Sequence, residues 1–129
     1  MYPKSFEYIS PTNIDDVISL LDKYKEDAKL ISGGHSLIPL MKLRLVSPQI
    51  IVDLNNVSGY DNIALNQDIL SIGSRVTHHE IEISNLFKEK CYMIPEAAAL
   101  IGDPQVRNVG TIGGALAQAD PAGDWGSVM

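Results

Sequence analysis

The residues with the most chemical promise in this chain are two glycine pairs in similar flanks. Ile31-Ser32-Gly33-Gly34-His35-Ser36 follows an apolar, strand-like run and precedes a helix-like one, and Thr111-Ile112-Gly113-Gly114-Ala115 has a comparable setting. Glycine permits positive φ and lets a ligand reach the backbone without meeting a Cβ. A run of N–H groups where a strand gives way to a helix binds an anion without any basic side chain. An acidic protein can hold a phosphate in this way, with Ser36 and Thr111 adding hydroxyls and His35 a donor or a flat ring. The competing reading is that a Gly-Gly pair is turn punctuation; its recurrence in matching flanks weighs against that. Neither pair completes G-x-G-x-x-G, and G-x-x-x-x-G-K-[ST] is absent, so the Rossmann and P-loop readings fail on pattern.

Other groupings carry less. His78, His79 and Glu80 suggest a metal site only until their directions are considered, because consecutive helical residues point about 100° apart and do not converge on one ion. Ser36 beside His35 lacks the G-x-S-x-G elbow and a third partner, which argues against a hydrolase triad. Cys91 reads as an ordinary buried or half-buried thiol. In "DPAGD", Asp120 and Asp124 would need pKa values pushed apart to serve as acid and base. A turn at Asp120-Pro121, or a carboxylate accepting hydrogen bonds from a polyol, is the simpler assignment. No catalytic residue and no metal ligand is assigned.

These residues must be positioned by a small chain. With 129 residues, 45% of them hydrophobic, it is long enough for one ordinary domain or two small lobes. A net charge of −6 and scattered Lys and Arg exclude a nucleic-acid backbone as a natural partner. One cysteine forms no internal disulfide, and neither a leader-like start nor a run of about 18 apolar residues occurs, so the cytoplasm is the expected address. "FEYIS" reads as a strand and "IDDVISLLDKY" as a helix capped by Thr12, with Asp15 and Asp16 favoured by the helix dipole in its first turn. "AKLIS" reads as a buried strand, "HSLIPLMKLRL" as a short helix with Ser36 as cap and Pro39 in its first turn, and "QIIVDL" as a further strand. Residues 1–56 are thus expected to form an α/β-like lobe. Residues 57–129 open a second, with a hairpin over "NIAL-NQD-ILSIGS", a Thr77/Glu80 capping box and a helix over "IPEAAALIG" closed by Gly102.

Taken together, "ISGGHSLIPLMKLRL", "IGDPQVRNVGTIGGALAQADPAGDW" and the opening "P.SFEYISP" resemble the FAD-binding medium subunit of carbon monoxide dehydrogenase and related molybdenum hydroxylases, the group that includes xanthine dehydrogenase. The resemblance covers nearly the whole chain. It implies an α+β fold of the two-lobe, PCMH-like FAD-binding type 2, with FAD between the lobes and both glycine loops at its pyrophosphate. By motif it places Leu30, Ile31, Ser32, Gly33, Gly34, His35 and Ser36, and Thr111, Ile112, Gly113, Gly114 and Ala115, around the pyrophosphate and adjoining groups. Ile101 would lie against the flavin or adenine region, and Asp124 would bond the ribityl chain. In that family a molybdenum-containing large subunit performs the hydroxylation, a [2Fe-2S] small subunit relays electrons, and FAD passes them to an external acceptor, with the protein supplying position and electrostatics.

Trp125, where small aliphatics are usual, and Gln118, where His or Asn is common, depart from the family pattern. Relatives also continue beyond the point reached here, with the rest of the second lobe, further flavin contacts and another domain. The expectation is therefore that the isolated chain is partly or wholly flavin-free. It is also expected to associate with itself or with a complementary C-terminal chain, covering a strand edge and apolar surface.

Overall fold

A computed structural model describes residues 1–129 and divides them into two compact units, Met1–Gly59 and Tyr60–Met129. In the first unit, β1 (Glu7–Ile9) leads into α1 (Ile14–Tyr24), a short 3-10 turn, β2 (Ala28–Ile31), α2 (Leu37–Lys42) and β3 (Ile50–Asp53). The strands form one parallel sheet in the order β1-β3-β2, with Tyr8 opposite Ile51 and Ile31 opposite Asp53. β3 is central, and all four of its residues are buried, as expected for a strand covered on both faces.

Alternation along the strands assigns the two faces. Ile50 and Val52 pack with Val17 and Ala28 in a cluster that Leu20, Leu21 and Tyr24 of α1 complete. Ile51 looks the other way, and with Met41, Ile31, Ile38, Pro3, Phe6 and Tyr8 it lines an apolar groove of about 230 Å³. Asp53 shares the face of Ile51, at the carboxyl end of the sheet.

Three local expectations need correction. The cap of α1 is Asn13, whose side chain accepts from Asp16 N at 2.9 Å, in place of Thr12. Asn13 is the residue in the extended conformation that an N-cap requires. β2 is an edge strand with Lys29 and Leu30 exposed, whereas a buried strand is expected from its apolar letters. Ser36 does precede α2, but its side chain makes no capping bond, because its own backbone is already helical at φ −96°, ψ −48°.

The second unit opens with an antiparallel hairpin of β4 (Ile63–Asn66) and β5 (Ile69–Ile72), turned at Gln67 with φ 56°. Positive φ at the first turn position suits the twist of a two-residue hairpin. Helices α3 (His78–Ile83), α4 (Asn85–Lys90), α5 (Met93–Leu100), α6 (Pro104–Arg107) and α7 (Ile112–Gln118) follow, and a 3-10 turn over Asp124–Ser127 closes the unit. The Thr77/Glu80 capping box is formed, with Thr77 N donating to Glu80 at 2.7 Å and Glu80 N to Thr77 Oγ1 at 3.2 Å. Gly102, with φ 48°, follows α5 and its cap residue Ile101. The core gathers Val76, Ile81, Phe87, Ala97, Ala98, Ile112 and Trp125. No helix is long and apolar enough to cross a membrane.

Candidate functional site

The first glycine loop leaves the carboxyl end of β2, where parallel sheets in α/β units present ligands to the backbone. Gly34 has φ +75°, a conformation L side chains rarely adopt, and an added Cβ would lie 2.7 Å from Ile38 Cδ1 and 3.2 Å from Ile31 Cδ1. The glycine is therefore required by the loop's own path.

The hydrogen bonding of this loop is one-sided. Ile31 O accepts from Leu54 N at 2.9 Å, Ser32 O from Asn55 Nδ2 at 3.3 Å, and Gly34 O from Ile38 N at 2.9 Å. Gly33 O lies 3.3 Å from His35 Nδ1, a bond that requires this nitrogen to carry the ring proton. In contrast, the N–H groups of Gly33, Gly34, His35, Ser36 and Leu37 donate to no backbone carbonyl. With carbonyls tied to the chain and consecutive amides open, the loop has the polarity an anion needs. Buried N–H groups seldom go without acceptors, so open donors in a half-exposed loop are suited to water or to a ligand.

The second pair is built differently. Gly113 and Gly114 lie inside the first turn of α7, and neither has positive φ. Ile112 N donates to Val76 O at 3.0 Å, Gly113 N to Ser74 O at 2.9 Å, and Gly114 N to Thr111 Oγ1 at 3.3 Å. The open N–H run expected here is thus absent, because the isolated bridge between Thr77 and Thr111, the close approach to Ser74 and the capping side chain of Thr111 use those donors. A Cβ on Gly113 would lie 2.5 Å from Ser74 O, so this glycine serves a backbone contact. Gly114 is exposed and offers a bare Cα, with Ala115 behind it half-buried.

The remaining candidates fall into place individually. Ile101 packs against the core of its unit, and its carbonyl accepts from Arg107 at 3.1 Å; Arg107 in turn pairs with Glu82 at 3.0 Å. Asp124 is exposed at the start of the 3-10 turn, immediately before buried Trp125. Asp120 forms a turn, accepting from Ala122 N through its side chain and from Gly123 N through its carbonyl, both at 2.9 Å. His78 and His79 engage different partners: His78 is buried and accepts from Trp125 Nε1 at 3.4 Å, while His79 faces Glu82 at 3.4 Å.

Sequence reasoning missed Tyr8, Asp53 and Asn55. Asp53 is only 7% exposed; it receives the Tyr8 hydroxyl on Oδ2 and Asn55 N on Oδ1, the latter at 2.9 Å. The available signal was a charged residue ending a wholly apolar strand in "QIIVDL". The carboxylate holds the Tyr8 hydroxyl proton in place, raising its pKa above the ordinary tyrosine value, with desolvation acting in the same direction.

Comparison with known proteins adds a family. The family described as the FAD binding domain in molybdopterin dehydrogenase matches residues 4–129. The carbon monoxide dehydrogenase medium chain of Afipia carboxidovorans is 42% identical over 129 residues, which are 100% of this chain and 45% of that protein. The 6-hydroxypseudooxynicotine dehydrogenase complex subunit alpha of Paenarthrobacter nicotinovorans is 40% identical over 124 residues, 96% of this chain and 42% of that protein. A crystal structure of the Cu,Mo-CO dehydrogenase in its cyanide-inactivated form superposes with a TM-score of 0.97 at 42% identity, covering 100% of this chain and 45% of that one. The chain therefore spans less than half the length of these relatives.

Proposed function

Because the chain belongs to the family of FAD-binding domains of molybdopterin dehydrogenases, we propose that it binds FAD as part of the medium subunit of a molybdenum hydroxylase of the carbon monoxide dehydrogenase type. The observation that carries the reading is the one-sided loop Gly33–Leu37, five successive amides free of backbone acceptors beside carbonyls that are all but tied down. A flavin pyrophosphate matches that donor set, and its charge needs no lysine when consecutive amides supply the positive ends of their dipoles. The chain's net charge of −6 makes such a backbone site the natural solution.

On this proposal Leu30 to Ser36 line the pyrophosphate and adjoining groups in the first unit. In the second unit Gly114 gives a surface without a side chain, Thr111, Ile112, Gly113 and Ala115 hold that surface in place, Ile101 adds an apolar contact, and Asp124 accepts from hydroxyls. Bound FAD supplies two-electron and one-electron redox capacity; the chain's own residues orient it and assign no general acid or base. Its place in the whole enzyme is electron transfer from iron–sulfur clusters to an external acceptor. The partners would be a molybdenum-containing large subunit and a [2Fe-2S] small subunit.

The test is a titration of the purified chain with FAD, followed by quenching and polarisation of the flavin's own fluorescence, with NAD in a parallel titration. Saturable FAD binding that Gly34→Val weakens while the protein stays folded is the expected result. Saturable NAD binding with no response to FAD would overturn the assignment.

A further inference from the structure

At the carboxyl end of the central strand, three side chains form a continuous series that ends on the glycine loop. The Tyr8 hydroxyl donates to Asp53, Asn55 N donates to Asp53 Oδ1 at 2.9 Å, and Asn55 Nδ2 donates to Ser32 O at 3.3 Å. Beside it, Leu54 N donates to Ile31 O at 2.9 Å. Two consecutive carbonyls at the mouth of the loop are thus anchored on the segment that follows β3.

The geometry of the peptide unit turns these anchors into a direction. In a trans peptide the C=O and the following N–H point in opposite senses across a rigid plane, and the chain contains no cis peptide bond. Fixing Ser32 O toward Asn55 therefore fixes Gly33 N–H away from it. Gly33 N–H begins the open amide run, so this plane sets the direction of its first donor.

Asp53 needs both of its donors for a second reason. Asp53 is buried opposite Ile31 in the sheet register, and a buried carboxylate holds a fixed position only when its oxygens are hydrogen-bonded. Tyr8 occupies one oxygen and Asn55 N the other.

We infer that Tyr8, Asp53 and Asn55 act together as positioning residues that aim the Gly33–Leu37 amides at a bound phosphate group. None of them touches the phosphate; they act through the Ser32 carbonyl. The inference deepens the FAD assignment and, for its functional half, rests on it.

The experiment uses Asn55→Ala, Asn55→Asp and Tyr8→Phe in the full chain. Asn55→Ala keeps the backbone donor to Asp53 and removes the side-chain donor to Ser32, Asn55→Asp also sets a negatively charged acceptor against the Ser32 carbonyl, and Tyr8→Phe removes a single oxygen. Backbone ¹⁵N heteronuclear NOEs are read without ligand, and FAD affinity is read by titration. Both Asn55 variants should lower the NOEs of Gly33, Gly34 and His35 while Ile51 and Val52 stay rigid, and FAD affinity should fall about 5-fold or more, the equivalent of one hydrogen bond. Tyr8→Phe should act in the same direction to a smaller extent. A general loss of stability without a selective change in the loop would be the mark of a merely structural role. Unchanged NOEs in the loop of both folded Asn55 variants would overturn the inference. If the parent chain gives no FAD response, the functional assignment falls, and the NOEs still decide whether these residues order the loop.

Discussion

Replacing Gly113 by alanine should damage the second unit far more than the same change one residue later. The added Cβ would lie 2.5 Å from Ser74 O, 2.6 Å from Ser74 Cβ and 2.9 Å from Ser74 Cα. Two of those atoms are backbone, so relief means separating the start of α7 from the segment Ser74–Val76. That movement stretches Gly113 N to Ser74 O at 2.9 Å and Ile112 N to Val76 O at 3.0 Å. Loss of one such bond costs about 1 kcal/mol and overpacking adds about 1–3 kcal/mol, against a gain of about 1 kcal/mol from alanine's helix propensity. The net destabilisation is about 1–3 kcal/mol, or a fall in melting temperature of about 5–20 °C for a unit of this size. Gly114→Ala is the control: its Cβ meets only Thr111 Oγ1, at 2.9 Å, and a hydroxyl can rotate away. There the lost cap and the propensity gain nearly cancel, leaving a change within about 1 kcal/mol. Thermal and urea denaturation followed by circular dichroism measure both. A Gly113→Ala protein that melts with the parent, or a Gly114→Ala protein that suffers more, would refute the packing argument.

Three further expectations follow from other parts of the fold. Tyr8, its pKa raised by Asp53, should ionise above the ordinary tyrosine value, and Tyr8→Phe should remove that late step from the tyrosinate absorbance curve. The stability contributed by this bond is complete below the ordinary tyrosine pKa of 10.0 and is lost as pH rises through the raised value, so the parent's advantage over Tyr8→Phe should vanish at strongly alkaline pH. Ala119 ends α7 in the left-handed region at φ 51°, ψ 38°. Ala119→Gly should stabilise by about 0.5–1 kcal/mol in urea titration, and a loss of stability would contradict the strain. Trp125, the single tryptophan, is buried and donates to His78 Nδ1 at 3.4 Å. His78→Ala should cost about 2–4 kcal/mol through the cavity and the lost acceptor and shift the emission to longer wavelength; unchanged emission would show that the histidine does not hold the indole.

What the sequence discloses here is mostly local. The apolar spacing of Ile14, Val17, Ile18, Leu21 and Tyr24 marks α1, although Ile14 and Ile18 are exposed in it, the apolar run in "QIIVDL" marks a strand, and Thr77 with Glu80 spells its own cap. The polarity of the first glycine loop is legible for the same reason, since the strand, the positive-φ glycine and the following helix are neighbours in sequence. The choice between Thr12 and Asn13 as cap is not, because both side chains can accept the bond and only the backbone conformation decides. The two glycine pairs share letters and not tasks. Gly34 serves its own φ of +75°, whereas Gly113 answers to Ser74, a contact that no local pattern encodes. The Tyr8–Asp53 bond spans 45 positions and the Trp125–His78 bond 47, so these partners become visible only once the strands and helices have packed.

The most direct test of the central claim is a ¹⁵N–¹H correlation spectrum of the chain titrated with FAD, which detects binding even when the affinity is weak. The amides of Gly33, Gly34, His35, Ser36 and Leu37 should move with FAD concentration and approach saturation, and Gly34→Val should suppress the movement. A well-dispersed spectrum in which those five amides stay fixed at a large excess of FAD would contradict the claim.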